Sequence, residues 1–201
     1  MDEIVQKAMA KWPDVPHCYG WLALDARGQW RMRDDTAQRL GLLGDKITQA
    51  KLLGFIQRNY AVDALGRWYF QNGPQRVYVN LAATPHIVRT NGAGGFDLHN
   101  GVAVVAVKQA WMSEVGSLIL DCDGLIAQLD DRDLASCLPR LQDGATGKPL
   151  TDLQLMDWLA GGAGQFDFCF GEQRIHVDHI DSQTLPARFG FVALPQPEPI
   201  G

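Results

Sequence analysis

A pattern that occurs twice constrains this chain more than any other feature. Gly20-Trp-Leu-Ala-Leu-Asp-Ala-Arg-Gly28 aligns with Gly116-Ser-Leu-Ile-Leu-Asp-Cys-Asp-Gly124, sharing five of nine positions as G-x-L-x-L-D-x-x-G. Farther on, Gly66-Arg-Trp-Tyr-Phe-Gln-Asn-Gly-Pro-Gln-Arg-Val-Tyr-Val79 aligns with Gly164-Gln-Phe-Asp-Phe-Cys-Phe-Gly-Glu-Gln-Arg-Ile-His-Val177 at six of fourteen positions, without a gap. Unrelated segments of average composition agree at roughly one position in seventeen. The offsets, 96 and 98 residues, keep order and spacing. Such self-similarity predicts two related modules arising from an internal duplication.

Two weaker matches lie between these blocks. Asp34-Asp35 corresponds to Asp130-Asp131, and Ile47-Thr48 to Leu150-Thr151. Thr48 and Thr151 are expected N-caps of equivalent helices, because a threonine hydroxyl can accept from a first-turn N–H. Ile47 with Leu52, and Leu150 with Leu155, have the spacing of a hydrophobic staple, and Gln154 completes a capping box in the second copy only. Equating the two helices places Phe55 opposite Trp158, and Trp68 already aligns with Phe166.

Each copy reads as hairpin, helix, hairpin and a final strand. In the first, Trp21 to Asp25 turns through Ala26-Arg27-Gly28 into Trp30 to Arg33, with Leu22 and Leu24 buried and Trp21 outward. A helix over about residues 49–60 carries Leu52, Leu53, Phe55 and Ile56 at helical spacing. A second hairpin turns at Asn72-Gly73, and a strand over 86–90 follows Pro85. The expected fold is α+β, with two ββαβββ-type modules and mainly antiparallel sheets. The boundaries are an N-terminal helical segment over 1–19, modules over 20–90 and 101–194, a Gly-rich linker over 91–100 and a poorly ordered Pro-rich tail over 195–201. Residues 101–107 add a strand without a counterpart in the first copy.

With 201 residues, 46% apolar and 20% charged, the chain has the composition of a globular protein rather than a disordered one. The longest apolar run, Val102 to Val107, is far short of the roughly 20 residues a spanning helix needs. The acidic opening Met1-Asp2-Glu3-Ile4 predicts no secretory signal. Cys18, Cys122, Cys137 and Cys169 form no C-x-x-C and are expected as free thiols of a cytoplasmic protein. Charge is uneven: residues 20–90 carry +5 and residues 91–201 carry −9, within a total of −5. No basic stripe tracks a phosphate backbone, so neither nucleic acid nor membrane is expected as a partner. The asymmetry fits attraction within the molecule or between copies of it, which makes a homo-oligomer a candidate assembly.

Patterns that carry chemistry fail one by one. Gly92 to Gly95 lacks the following helix of a phosphate loop, and Gly144-Ala-Thr-Gly147-Lys148 has the wrong glycine spacing. None of the serines sits in G-x-S-x-G, and the adjacent His17 and Cys18 point to opposite faces of a strand. His176 and His179, three apart on a strand, cannot chelate one metal together. Asp121 before Gly124 reads as a turn residue, not a calcium ligand. No cofactor and no metal site are expected. Gln75-Arg76 and Gln173-Arg174 agree between copies that otherwise differ, and an arginine after a hairpin turn can bind a carboxylate or phosphate. The same arginines could instead pair within their own module, Arg174 with Asp167. The candidate ligand-binding residues are Arg76, Arg174, Gln75, Gln173 and His86, for a small anionic ligand or a protein partner.

The segment from Pro16-His-Cys-Tyr-Gly-Trp-Leu through Trp68-Tyr-Phe-Gln-Asn-Gly-Pro-Gln-Arg-Val-Tyr-Val resembles an uncharacterised family of bacterial proteins. Its Gly-x-Trp and Gly-x-Trp-Tyr-Phe hairpins are also similar to a proteobacterial family of unknown function built of two small α+β or barrel-like parts. The resemblance covers the first ninety residues and supplies no catalytic residues. The function expected is a cytoplasmic binding or regulatory module without catalysis. The alternatives are a self-associating structural protein and an enzyme with a dispersed site at the junction of the modules, drawn from Asp34, Asp35, Arg76, His86, His99 and His176.

Overall fold

The computed structural model describes residues 1–198. The chain divides into two compact units: Met1–Pro85 together with the segment that starts at Phe189, and His86–Arg188. Both combine helices with a mainly antiparallel sheet, an α+β fold.

Unit 1 opens with α1 (Glu3–Lys11). It continues through β1 (Cys18–Leu24), β2 (Trp30–Met32), α2 (Asp35–Arg39), β3 (Asp45–Lys46), α3 (Ala50–Arg58), β4 (Tyr60–Val62), β5 (Trp68–Asn72) and β6 (Gln75–Leu81). The sheet order is β3-β2-β1-β6-β5-β4, and its central pair, β1 and β6, is parallel. Leu22, Leu24, Val79 and Leu81 fall on one face by this register, and α3 covers part of that face: the Phe55 and Phe70 rings meet edge to face at 5.3 Å. As expected, Leu22 and Leu24 are buried while Trp21 is 42% exposed; Trp30 is buried.

Unit 2 contains β7 (His86–Thr90), β8 (Phe96–Leu98), β9 (Gln109–Ser113), β10 (Leu118–Cys122) and β11 (Leu125–Leu129). A helical turn and α4 (Leu134–Cys137) follow, then β12 (Leu141–Asp143), α5 (Asp152–Leu159), β13 (Phe166–Phe170), β14 (Gln173–Ile180) and α6 (Leu185–Phe189), whose last residue begins the second segment of unit 1. Its sheet runs β12-β13-β14-β9-β10-β11-β7-β8. Its core gathers Phe96, Met112, Leu118, Leu120, Leu141, Trp158, Phe166, Phe168 and Val177.

The strand path β1 to β6 recurs as β9 to β14: same order, same directions, and one parallel pair at the centre, β9 with β14. The register shows which residues correspond. Phe70 faces Val77 as Phe168 faces Ile175, so the second sequence block is aligned as expected. The first block is not. Leu22 lies beside Val79 and Ala110 beside Val177, which makes β9, not β10, the counterpart of β1. Gly28 therefore corresponds to Gly116, not Gly124. In each turn the glycine N–H returns to the carbonyl three residues earlier, of Asp25 or Ser113, at 2.9 Å.

The helices are corrected in the same way. Asp34 caps α2 between the second and third strands, whereas Asp130 caps the turn after β11, so these aspartates are not equivalent. Helix α3 precedes β4, but α5 follows β12 and replaces the short β4–β5 turn, so Phe55 and Trp158 do not correspond. Thr151 makes the expected capping box, while α3 starts after Gln49 without a side-chain cap. After α1 the element order of unit 1 is ββαβαβββ: α2, β3 and β4 are added to the expected ββαβββ, and its final strand, β7, is lost to unit 2.

The Gly-rich stretch expected as a linker is a hairpin turn. Asn91 N–H donates to the Gly95 carbonyl, joining β7 to β8 within unit 2. Strand β7 belongs there because it pairs in parallel with β11. Residues 101–107 form only an isolated bridge, Ala103 with Asp97. The residues from 189 to 194, expected in the second module, belong to unit 1: Val192 N–H donates to Gly66, and Ala193 accepts from Leu81. Of the Pro-rich tail expected to be poorly ordered, Glu198 pairs with Arg67 at 3.3 Å. The tail's last three residues lie outside the described residues.

Candidate functional site

Unit 1 has two features that unit 2 lacks, each beside an open groove or cleft. The first feature is a bulge in β1. Cys18 pairs with Val77 and Leu22 with Val79, so four steps along β1 span two along β6. Gly20 takes φ +80° there, a backbone conformation side chains disfavour, and a Cβ on it would sit 2.5 Å from Gln38 Oε1. The extra residues push Trp21 outward and leave both Cys18 and Leu22 on the α3 side. Bulges of this kind re-aim side chains and concentrate near binding sites.

The second feature is the insertion between β2 and β3, where unit 2 has only the tight Asp123-Gly124 turn. It holds α2 and a loop whose Leu40, Leu42 and Leu43 are 53–62% exposed. Arg33 ties insertion and bulge together. Its guanidinium donates from Nε to the Leu42 carbonyl (2.9 Å), from Nη1 to Gly20 (3.3 Å) and from Nη2 to Ala37 (3.4 Å). At Gly44 a Cβ would lie 2.2 Å from the Met32 carbonyl, so the loop closes on β2 only through glycine.

The groove between the β1 bulge and α3 has a volume of about 260 Å³. Leu22, Met32, Leu52, Ile56, Phe70 and Val77 line it, with Trp21 and Cys18 beside them and the Asn72 amide as its polar group. Met32 also borders a second, open cleft of about 420 Å³ under Leu42 and Leu43, which carries the Asp34 and Asp45 carboxylates. Asp34 Oδ1 is engaged as the cap of α2, accepting from Ala37 N–H at 2.7 Å. Pockets that accept small molecules are commonly apolar with few polar groups.

On the opposite face of this sheet lies a tyrosine–arginine cluster. Tyr19 stacks on Tyr78 at 4.7 Å, the Arg67 guanidinium stands over Tyr78 at 4.9 Å, and Arg76 stands over Tyr69 at 4.6 Å. Burial pushes the Asp63 carboxyl up, but hydrogen bonds from Arg67 (2.8 Å) and the Tyr78 hydroxyl (3.0 Å) outweigh it, so Asp63 titrates below its usual range. Burial and the bond to Asp63 raise the Tyr78 phenol. His17 meets Tyr78 edge-on at 5.7 Å, on the face away from Cys18.

The residues that the sequence marks as ligand-binding candidates separate: Arg76, Gln75, Arg174, Gln173 and His86 do not converge within either unit. Gln75 Nε2 donates to the Pro16 carbonyl at 2.9 Å. Arg174 pairs with Asp167 across its hairpin, Nη2 to Oδ2 2.8 Å, and reaches the Asp143 and Gly144 carbonyls. Gln173 is exposed at the start of β14. His86 is buried in unit 2 with its ring 5.6 Å from that of His99. Burial pulls the two imidazoles down to about 4 and about 3. His176 lies apart, 3.7 Å from Asp167 and 3.6 Å from Asp178. Among the described residues, no group of three or more His, Cys, Asp or Glu side chains is placed to hold a metal ion, and no helix is long and apolar enough to cross a membrane.

Residues 1–196 match the model of a family described as "Protein of unknown function (DUF2946)". The chain belongs to that family. DUF2946 carries no assigned activity, in keeping with the uncharacterised bacterial family its first ninety residues resemble. Among solved structures the chain is similar to a DUF1285 family protein from Silicibacter pomeroyi DSS-3, at 14% identity and TM-score 0.49, over 92% of this chain and 98% of that one. It is also similar to a DUF1285 family protein from Shewanella baltica OS155, at 14% identity and TM-score 0.40, over 58% and 88%. No curated protein matches the chain.

Proposed function

We propose that this DUF2946 member is a cytoplasmic binding module without catalysis, and that unit 1 receives an apolar group in the groove between α3 and its sheet. The observation that carries this reading is the groove's construction. A β1 bulge absent from the equivalent strand of unit 2 opens it, and Arg33 holds that bulge to the Leu42 loop. Its lining holds no carboxylate, imidazole or amine, so it suits recognition rather than proton transfer. Its size fits a short alkyl chain or a single aromatic side chain. The four free thiols support a reducing compartment.

Titration with octanol, octanoate and octylamine tests the reading. Trp21 stands at the rim, so its indole emission, isolated by difference against Trp21→Phe, should shift as the chain enters. Cys18→Phe, which fills the groove, should abolish the shift. Absence of any shift with all three probes, at concentrations up to their solubility, overturns the assignment.

A further inference from the structure

We propose that residues 102–107 of unit 2 form an open sheet edge that pairs, antiparallel, with the same segment of a second copy of this chain. The inference is independent of the groove. Natural sheets blunt their edges with shortness, charge or proline, because an exposed ladder recruits another strand. Three of the four edges here are so treated. In unit 1, β3 is two residues long and charged, and β4 is three residues long. In unit 2, the β12 edge meets Pro149, and Arg174 reaches its carbonyls.

The β8 edge is different. The segment beside it, Val102-Ala-Val-Val-Ala-Val107, has no charge, no proline and no glycine. Leu98 N–H donates to the Val102 carbonyl (2.8 Å), and Val104 N–H donates to Phe96 (2.9 Å). These bonds flank Ala103, so in an antiparallel ladder the N–H and C=O of Ala103 itself point away from β8. They meet no backbone partner among the described residues, and neither do those of Val105. Val104 packs against the unit 2 core, which anchors the segment. Val105, at 81%, is the most exposed large apolar side chain among the described residues.

A two-fold axis at Val104 brings Ala103 of one copy opposite Val105 of the other. Each such pair exchanges two backbone hydrogen bonds, and the axis generates the pair twice, a closed isologous contact. Small alanine opposite exposed valine leaves room for both side chains, and no charge opposes the approach. A second copy supplies an uncharged segment whose free N–H and C=O groups at Ala103 and Val105 meet this register. The contact is small, so association is weak and concentration-dependent.

Sedimentation from micromolar to millimolar protein tests it. The wild-type chain should move from 22.2 kDa toward twice that mass. Val105→Lys should stay at 22.2 kDa throughout, because it places a charge in the shared ladder. Val115→Lys, at a 72% exposed turn position elsewhere, should associate like wild type. A wild-type chain that stays at 22.2 kDa, a Val105→Lys chain that still associates, or loss of association in Val115→Lys each overturns the proposal.

Discussion

Asp25 and Ser113 occupy the same position in two different sheets, each closing the hairpin between the first and second strands of the shared path. Asp25 Oδ1 accepts from Gln29 N–H at 2.8 Å, and Ser113 Oγ accepts from Ser117 N–H at 3.0 Å. The neighbours match the acceptor. Arg31 pairs with Asp25 Oδ2 at 2.8 Å, while the corresponding place on β10 holds apolar Ile119. Asp25→Ala removes the acceptor of two backbone N–H groups and leaves Arg31 without its carboxylate, so it should cost about 2–4 kcal/mol. Ser113→Ala should cost about 1 kcal/mol. Ser113→Asp should be worse than Ser113→Ala, because it buries a carboxylate where no arginine stands. Urea unfolding of the three variants checks the order.

Arg33 makes no ion pair among the described residues and spends its donors on the three carbonyls of Gly20, Ala37 and Leu42. Arg33→Met keeps the aliphatic stem and removes the fork. It should lower stability by about 1–3 kcal/mol. It should also speed hydrogen exchange at residues 19–21 and 40–44 more than elsewhere, and weaken octyl-probe binding several-fold. Uniform exchange across unit 1 would show that the arginine does not link bulge and loop.

Gly66 and Gly94 hold the same place in two Asp/Asn-x-x-Gly turns, with φ +74° and +78°. A Cβ at Gly94 meets open space, whereas one at Gly66 would lie 2.1 Å from the Gly190 carbonyl. Gly94→Ala should therefore cost only the backbone strain, about 1–2 kcal/mol. Gly66→Ala should cost more, and it should release the segment from Phe191 that hydrogen-bonds beside it. Proteolysis at residues 191–198 in Gly66→Ala, but not in Gly94→Ala, would register that release.

These turns also show how much of the fold is legible in the sequence. Asp25-x-x-Gly28, Asp63-x-x-Gly66, Asn91-x-x-Gly94 and Ser113-x-x-Gly116 all close by one local mechanism, a side-chain oxygen on nearby N–H groups and a glycine at positive φ. Local chemistry of that kind is readable from residue types alone. The similarity of these turns is also why Gly28 aligns with Gly124, one strand late. Pairing between distant strands has no local signature, so the sequence places β7 in the wrong unit when its partner β11 lies about forty residues on. The groove is hidden for a related reason. Gly20 reads as the first letter of a repeat, whereas its role, the β1 bulge, depends on register against β6. Arg76 and Arg174 stand out as shared polar residues, yet their guanidinium groups serve a tyrosine ring and a cross-hairpin aspartate.

Buried histidines give unit 2 a pH dependence with a definite sign. His86 and His99 are 4% and 7% exposed, and burial lowers them to about 4 and about 3 from an ordinary 6.5. Folded, both stay neutral; unfolded, both take a proton below pH 6.5. Their stabilising contribution is complete above that value and is lost as pH falls from 6.5 toward 4 and then 3. The slope is on the order of 1 kcal/mol per pH unit for each histidine. Asp130 acts in a lower window. Burial raises its carboxyl, but Arg132 more than compensates and holds it at about 2, so its contribution is lost only below about pH 4. Urea midpoints should therefore be level between about pH 8 and 7, fall steadily from about pH 6.5 to 4.5, and fall further below about pH 4. A flat profile between about pH 6.5 and 4.5 would mean that the two imidazoles bind protons within the fold.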